Sequence, residues 1–171
     1  MAALTIYING QEVEAEEGST ILDAAKAAGI PIPTLCHHPA LSEWGACRMC
    51  LVEIEPRGLL HPACTYPVSS GLRVQTHSEK VIRARKYVLQ WLFSERNHYC
   101  MYCQASGECE LQALAYEHEL AHWLWARPNT PMPVDASRQY FVMDHNRCIL
   151  CRRCIRACNE MSAVHTLSTG Q

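Results

Sequence analysis

Eleven cysteines in a chain of 171 residues constrain this protein more than any other feature. Eleven is odd, so the cysteines cannot all close into intramolecular disulfides. Met1 to Ile8 lacks the basic start and long apolar core of a secretion signal, which points to the cytoplasm. In that reducing compartment, dense cysteines bind metal or carry redox chemistry more often than they staple a fold. Nine histidines add further candidate ligands. A hydrophobic fraction of 49% and a charged fraction of 19% belong to a folded chain rather than a disordered one. The net charge of −2 argues against nucleic acid as a partner held by a basic surface. No stretch approaches the ~18 consecutive apolar residues of a transmembrane segment.

Residues 1–77 read as an α+β module. Leu4, Ile6 and Ile8 alternate with Thr5 and Tyr7, and Asn9-Gly10 supplies a two-residue hairpin turn into a strand from Gln11 to Ala15. Ser19 or Thr20 caps a helix with apolar positions at Ile21, Leu22, Ala24, Ala25 and Ala28, ended by Gly29. Pro31 and Pro33 force an extended approach to Cys36. Leu51 to Ile54 and Leu72 to Gln75 read as strands. From Ser78 the period becomes helical through Val81, Ile82, Arg85, Val88, Leu89 and Leu92. A second helix is expected from Glu110 to about Leu124, a proline-bearing linker over Arg127 to Asp135, and a short strand at Tyr140 to Met143. The resulting division is residues 1–77, a helical module 78–126, a linker 127–140 and a last segment 141–171.

The cysteines fall into three groups. The first is Cys36-x10-Cys47-x2-Cys50-x13-Cys64. Soft thiolates select zinc, copper(I) or iron–sulfur centres. A zinc ribbon carries two compact Cys-x2-Cys knuckles, whereas one knuckle flanked by two distant cysteines resembles [2Fe–2S] ligation. The ten-residue first gap departs from the four-residue gap of the plant type. Gly45 and Ala46 are small enough to let backbone N–H groups approach the sulfurs.

The second group, Cys100-x2-Cys103-x5-Cys109, has three cysteines where a [4Fe–4S] cluster takes four ligands. His98 is the nearest candidate for the fourth; the alternative is a surface histidine at a helix end. The third group, Cys148-x2-Cys151-x2-Cys154-x3-Cys158, is the four-cysteine run of bacterial-type [4Fe–4S] ferredoxins, with Asn159 where such runs usually have proline. Four, three and four cysteines account for all eleven, and His98 makes twelve ligands. That is four for each of three clusters, provided Cys158 completes its own.

With these residues in view, the chain resembles the N-terminal iron–sulfur region of the large hydrophilic subunit of respiratory complex I. It is more similar still to the diaphorase iron–sulfur subunit of cytosolic NAD-reducing [NiFe] hydrogenases. The resemblance is carried by the long first gap, by Glu95-Arg96-Asn97-His98-Tyr99-Cys100, by Gly107-Glu108-Cys109-Glu110-Leu111-Gln112 and by Asp144-His145-Asn146-Arg147-Cys148. Complex I usually places its ligand histidine at the position of Arg96; the His-x-Cys spacing here fits the hydrogenase branch. Relatives continue past Gln171 into another four-cysteine run, and in such a relative Cys158 would serve that further cluster.

The resemblance implies a β-grasp [2Fe–2S] ferredoxin-like module, then a helical His/Cys3 cluster module, then a ferredoxin-like [4Fe–4S] segment. It implies one [2Fe–2S] and two [4Fe–4S] clusters, with FMN and NAD held by a partner flavoprotein subunit and a hydrogenase small subunit at the far end. The chain would be an electron-transfer subunit and no enzyme on its own. Consistent with that, no Gly-x-Gly-x-x-Gly follows a strand, so no NAD or FMN is expected on this chain. Equivalent subunits of NAD-dependent formate dehydrogenase, a bifurcating hydrogenase or complex I itself are the nearest alternatives. A zinc-stabilised interaction module is the alternative of another class.

Other residues invite less. Arg147, Arg152, Arg153 and Arg156 around the last run read as a solvated basic face, or as charges that offset a cluster or dock an acidic partner. Trp91, Trp123 and Trp125 read as packing or subunit-interface residues. His37 and His38 read as neighbours of a complete site, and His118 with His122 as a helical pair lacking a third ligand.

Overall fold

The computed structural model describes residues 3–122, 124–125 and 131–169. They belong to two compact units, Met1–Arg85 with Cys151–Gln171, and Lys86–Leu150.

In the first unit, β1 (Ala3–Ile8) and β2 (Gln11–Glu16) form the expected antiparallel hairpin. Asn9 and Gly10 both take positive φ, +53° and +82°, the conformation that matches a two-residue turn to the twist of the strands. Ile6, Ile8, Val13 and Ala15 face inward. Thr20 caps α1 (Ile21–Ala27): its hydroxyl accepts the Asp23 N–H at 3.2 Å, and the Asp23 carboxylate accepts the Thr20 N–H at 3.0 Å. Such a cap stabilises a helix by about 1 kcal/mol.

Strands β3 (Leu51–Ile54), β4 (Leu59–Pro62) and β5 (Arg73–Gln75) complete a sheet of order β2-β1-β5-β3-β4. β1 and β5 run parallel, the other neighbours antiparallel. This mixed sheet with α1 is the α+β, ferredoxin-like arrangement expected. Its core joins Ile6, Ile8, Ile21, Val52 and Val74 with Cys50 and Cys64, so two candidate ligands are seated in the core itself.

α2 (Glu79–Glu95) starts at Ser78, whose hydroxyl accepts the Val81 N–H, and the division between the units falls within it, after Arg85. Arg85 is buried on that helix and donates to the Leu51 carbonyl at 2.8 Å. In the second unit, α3 (Glu110–Glu117) is shorter than its periodicity suggests. His118 and Leu120 return their N–H groups to Leu114 and Ala115, and Glu119 takes φ +53°, which ends the helix. The expected strand at Tyr140 to Met143 does not form; Met143 makes an isolated bridge to Asp135. β4, which bears a proline, is an addition to the expected strands. Trp123 and residues 126–130, which include part of the expected linker, lie outside the described residues.

Candidate metal centres

The first cysteine group converges. Cys36, Cys47, Cys50 and Cys64 are all buried, between 1% and 6% exposed. They stand as two pairs. The Cys36 N–H points at the Cys47 sulfur at 3.3 Å, the Cys47 N–H returns to the Cys36 sulfur at 3.5 Å, and the Cys50 and Cys64 sulfurs are 3.4 Å apart. The hydrogen bond with the Cys47 side chain holds the Cys36 thiol down to about 5 against the pull of burial; N–H groups of Cys47 and Ala46 and the charge of Arg156 add to it. The same bond and burial push Cys47 up. Cys50 is lowered to about 7 by its bond with Cys64, which is pushed up in turn.

The loop backbone is built for this. Arg48, inside the Cys47/Cys50 knuckle, is left-handed at φ +59°, a conformation that costs a non-glycine residue about 1–2 kcal/mol. Gly45 sits at φ +65°, and a Cβ there would meet the Thr65 methyl at 3.1 Å. Among the described residues no three His, Cys, Asp or Glu side chains surround a point as ligands of one metal ion. Two buried thiol pairs with inward N–H groups instead suit a two-iron cluster, in which the four thiolates are shared between two irons. The residues fit that group.

The segment that carries the last cysteines is fastened to this loop. Arg156, only 4% exposed, donates to the carbonyls of Cys36 and Ser42. Arg153 donates to the His37 carbonyl at 2.8 Å, and the Arg152 guanidinium lies 4.9 Å from the centre of the Trp44 ring. Glu160 accepts the Ser42 N–H at 2.7 Å and its hydroxyl at 2.6 Å. For Arg153 and Arg156 the reading as a solvated face therefore fails, because backbone carbonyls of the first loop take their donors. Nothing in the one-dimensional pattern signals it. His37 contacts Glu43 at 3.1 Å, and His38 accepts the Ala40 N–H, so both histidines brace the loop.

The second group lies in the second unit. Cys100 opens a 3-10 turn (Cys100–Tyr102) and Cys109 is the N-cap of α3. Gln112 ties down the loop between Cys103 and Cys109: its carbonyl accepts the Gly107 N–H at 2.7 Å and its amide donates to Ser106 at 3.3 Å. His98 packs edge-on against Phe93 with ring centres 5.3 Å apart. His98 and Cys100 line a cavity of about 320 Å³ with Phe93, Gln112, Ala115 and Leu120. Cys103 and Cys109 are not among its lining residues.

The third run is divided between the units, Cys148 in the second and Cys151, Cys154 and Cys158 in the first. The Leu150 N–H points at the Cys148 sulfur at 3.4 Å. Leu150 and Arg152 are left-handed, at φ +55° and +57°, as Arg48 is in the first knuckle. α4 (Arg153–Arg156) runs into a π-helical turn (Ala157–Met161). Cys158 lies 3.5 Å from the Thr166 hydroxyl; that contact and N–H groups of Leu167, Thr166 and His165 lower its thiol. Hydrogen bonds of this kind favour a thiolate, the form that ligates iron.

The remaining candidates have structural roles. His118 is buried with Nδ1 3.1 Å from the Leu114 carbonyl, and since α3 ends at Glu117 the His118/His122 pair is not helical. Trp91 and Trp125 stack with ring centres 5.9 Å apart. Among the described residues, no helix is long and apolar enough to cross a membrane.

Comparison with known proteins places these sites in context. Residues 1–79 match the family described as 2Fe-2S iron-sulfur cluster binding domain, and residues 85–122 the NADH-ubiquinone oxidoreductase-G iron-sulfur binding region. The chain is similar to the NADP-reducing hydrogenase subunit HndD of Solidesulfovibrio fructosivorans, 40% identical over 98% of this chain and 30% of that one. It is 35% identical to the gamma subunit of the NAD-reducing hydrogenase HoxS of Cupriavidus necator, over 90% of this chain and 64% of that one. An NADH-quinone oxidoreductase subunit of Rhizobium meliloti is 36% identical over 97% of this chain and 20% of its own length. The chain thus spans less than two thirds of each of these three. A chain in the crystal structure of an NAD+-reducing [NiFe]-hydrogenase in the H2-reduced state superposes with a TM-score of 0.93 at 38% identity, covering 99% of this chain and 71% of that one.

Proposed function

Because this chain belongs to the family of iron–sulfur subunits found in NAD(P)-reducing hydrogenases and in NADH-quinone oxidoreductases, we propose that it relays single electrons between an NAD(H)-oxidising flavoprotein subunit and a hydrogenase small subunit. The observation that carries this reading is the burial of Cys36, Cys47, Cys50 and Cys64 as two pairs, with backbone N–H groups turned to the sulfurs of Cys36 and Cys47 and the sulfurs of Cys50 and Cys64 in contact. These four would hold a [2Fe–2S] cluster. His98, Cys100, Cys103 and Cys109 would hold one [4Fe–4S] cluster, and Cys148, Cys151, Cys154 and Cys158 a second.

Bound iron–sulfur clusters accept and release one electron at a time, at potentials set by cluster type, hydrogen bonds and burial. The protein's part is to space the clusters, exclude water from the buried pairs and direct N–H dipoles at the sulfurs. FMN and NAD belong to the partner, hydride chemistry stays there, and the chain works in the cytoplasm. The module boundaries that follow are 1–77, 78–126 and 141–171, joined through 127–140.

The test is NADH-driven reduction. With its flavoprotein partner present, NADH should bleach the visible absorption of this chain; NADH added to the chain alone should not. Bleaching without the flavoprotein, or none with it, would remove the relay.

A further inference from the structure

Arg156 is the most deeply buried charge of the C-terminal segment, and both of its contacts are carbonyls of the loop that begins at Cys36. A guanidinium removed from water needs compensation beyond neutral carbonyls, because desolvating a charge costs several kcal/mol. Its bond to the Cys36 carbonyl sets that buried charge beside one of the four cysteines of the first site. Glu160, 118 residues from Ser42 in sequence, grips the other end of the same loop.

We propose that Arg156 is a positioning residue that sets the reduction potential of the cluster held by Cys36, Cys47, Cys50 and Cys64, with Glu160 as its opposing charge. This rests on the reading that those four cysteines hold a [2Fe–2S] cluster. The cluster is anionic and gains a further negative charge on one-electron reduction. The fixed positive charge of Arg156 stabilises the reduced form more than the oxidised form and so raises the potential. The carboxylate of Glu160 acts oppositely, and more weakly, because it is exposed. No bond in the protein forms or breaks; the electron comes from the reductant.

The experiment is a dithionite titration with mediator dyes of the full anaerobically purified chain, followed by electron paramagnetic resonance at temperatures where only the [2Fe–2S] signal persists. Arg156→Met should make reduction at least tenfold less favourable, a fall of about 59 mV for a one-electron couple. Arg156→Lys should recover most of that fall. Glu160→Gln, a near-isosteric change on the surface, should move the potential upward. Opposite signs separate charge from loosening, since a loop merely opened to water would move alike in both variants. An unchanged potential in Arg156→Met, or a downward shift in Glu160→Gln, would overturn the proposal while leaving the cluster reading intact. If Arg156→Met fails to retain the cluster, Glu160→Gln and Arg156→Lys decide by the same signs. A wild-type chain with no [2Fe–2S] signal would overturn both.

Discussion

The Asn146 carbonyl accepts the N–H of Asn97 at 2.8 Å, so the stretch leading into His98 is hydrogen-bonded to the stretch leading into Cys148. The Asn146 side chain adds a reciprocal pair with Met132, accepting its N–H and donating to its carbonyl at 2.8 Å each, and donates to Asp144 at 2.9 Å. One residue thereby holds three stretches of irregular chain where regular secondary structure is sparse. Asn146→Ala leaves the Met132 groups without these partners and should cost about 1–3 kcal/mol. Thermal melts should show the loss, with earlier release of four-iron clusters than of the two-iron cluster.

Gly45→Ala is expected to strain the first site in two ways. Its φ of +65° disfavours any side chain, and the new methyl would lie 3.1 Å from Thr65. A destabilisation of about 1–2 kcal/mol follows from the backbone alone. Adding Thr65→Ser removes the opposing methyl, so it should relieve the steric part and leave the backbone part. Cluster retention during dilution in chelator would report both.

Glu160 gives a pH prediction with a definite sign. Hydrogen bonds from the Ser42 hydroxyl and N–H, and the charge of Arg156, hold its carboxyl below the usual glutamate range. A folded-state value lower than the unfolded one contributes stability above the unfolded value and loses it as pH falls through the folded value. The melting-temperature gap between wild type and Glu160→Gln should therefore be constant near neutrality and close below the ordinary glutamate range. Ser42→Ala should shrink it.

His98 separates the two readings of the second group. If it is the fourth ligand, His98→Ala should remove about four irons per chain while the two-iron signal stays. His98→Cys, which restores a ligand of the usual kind, should recover them. Unchanged iron in His98→Ala would remove His98 from the ligand set and leave it a packing residue against Phe93.

Whether a feature is legible in this chain depends on whether its signal is local. The hairpin at Asn9-Gly10 and the Thr20 cap are determined by neighbouring residues, and both form as expected. The spacing of the first cysteine group is a local pattern, and its four thiols stand as two buried pairs. β4 escapes a sequence reading because Leu59–Pro62 carries a proline and exists by pairing with β3. α3 reads too long because nothing in composition marks Glu119 as the left-handed end of a helix. Arg156 is the hardest case: its partners lie 114 and 120 residues away, and a basic run looks solvated until the fold delivers carbonyls to it.

The most direct test of the central claim is the content of iron, zinc and acid-labile sulfide per chain after anaerobic purification. Three clusters held by eleven cysteines and His98 predict about ten irons and about ten sulfides, with no stoichiometric zinc. About six irons would contradict the third cluster, and stoichiometric zinc without sulfide would contradict the relay as a whole.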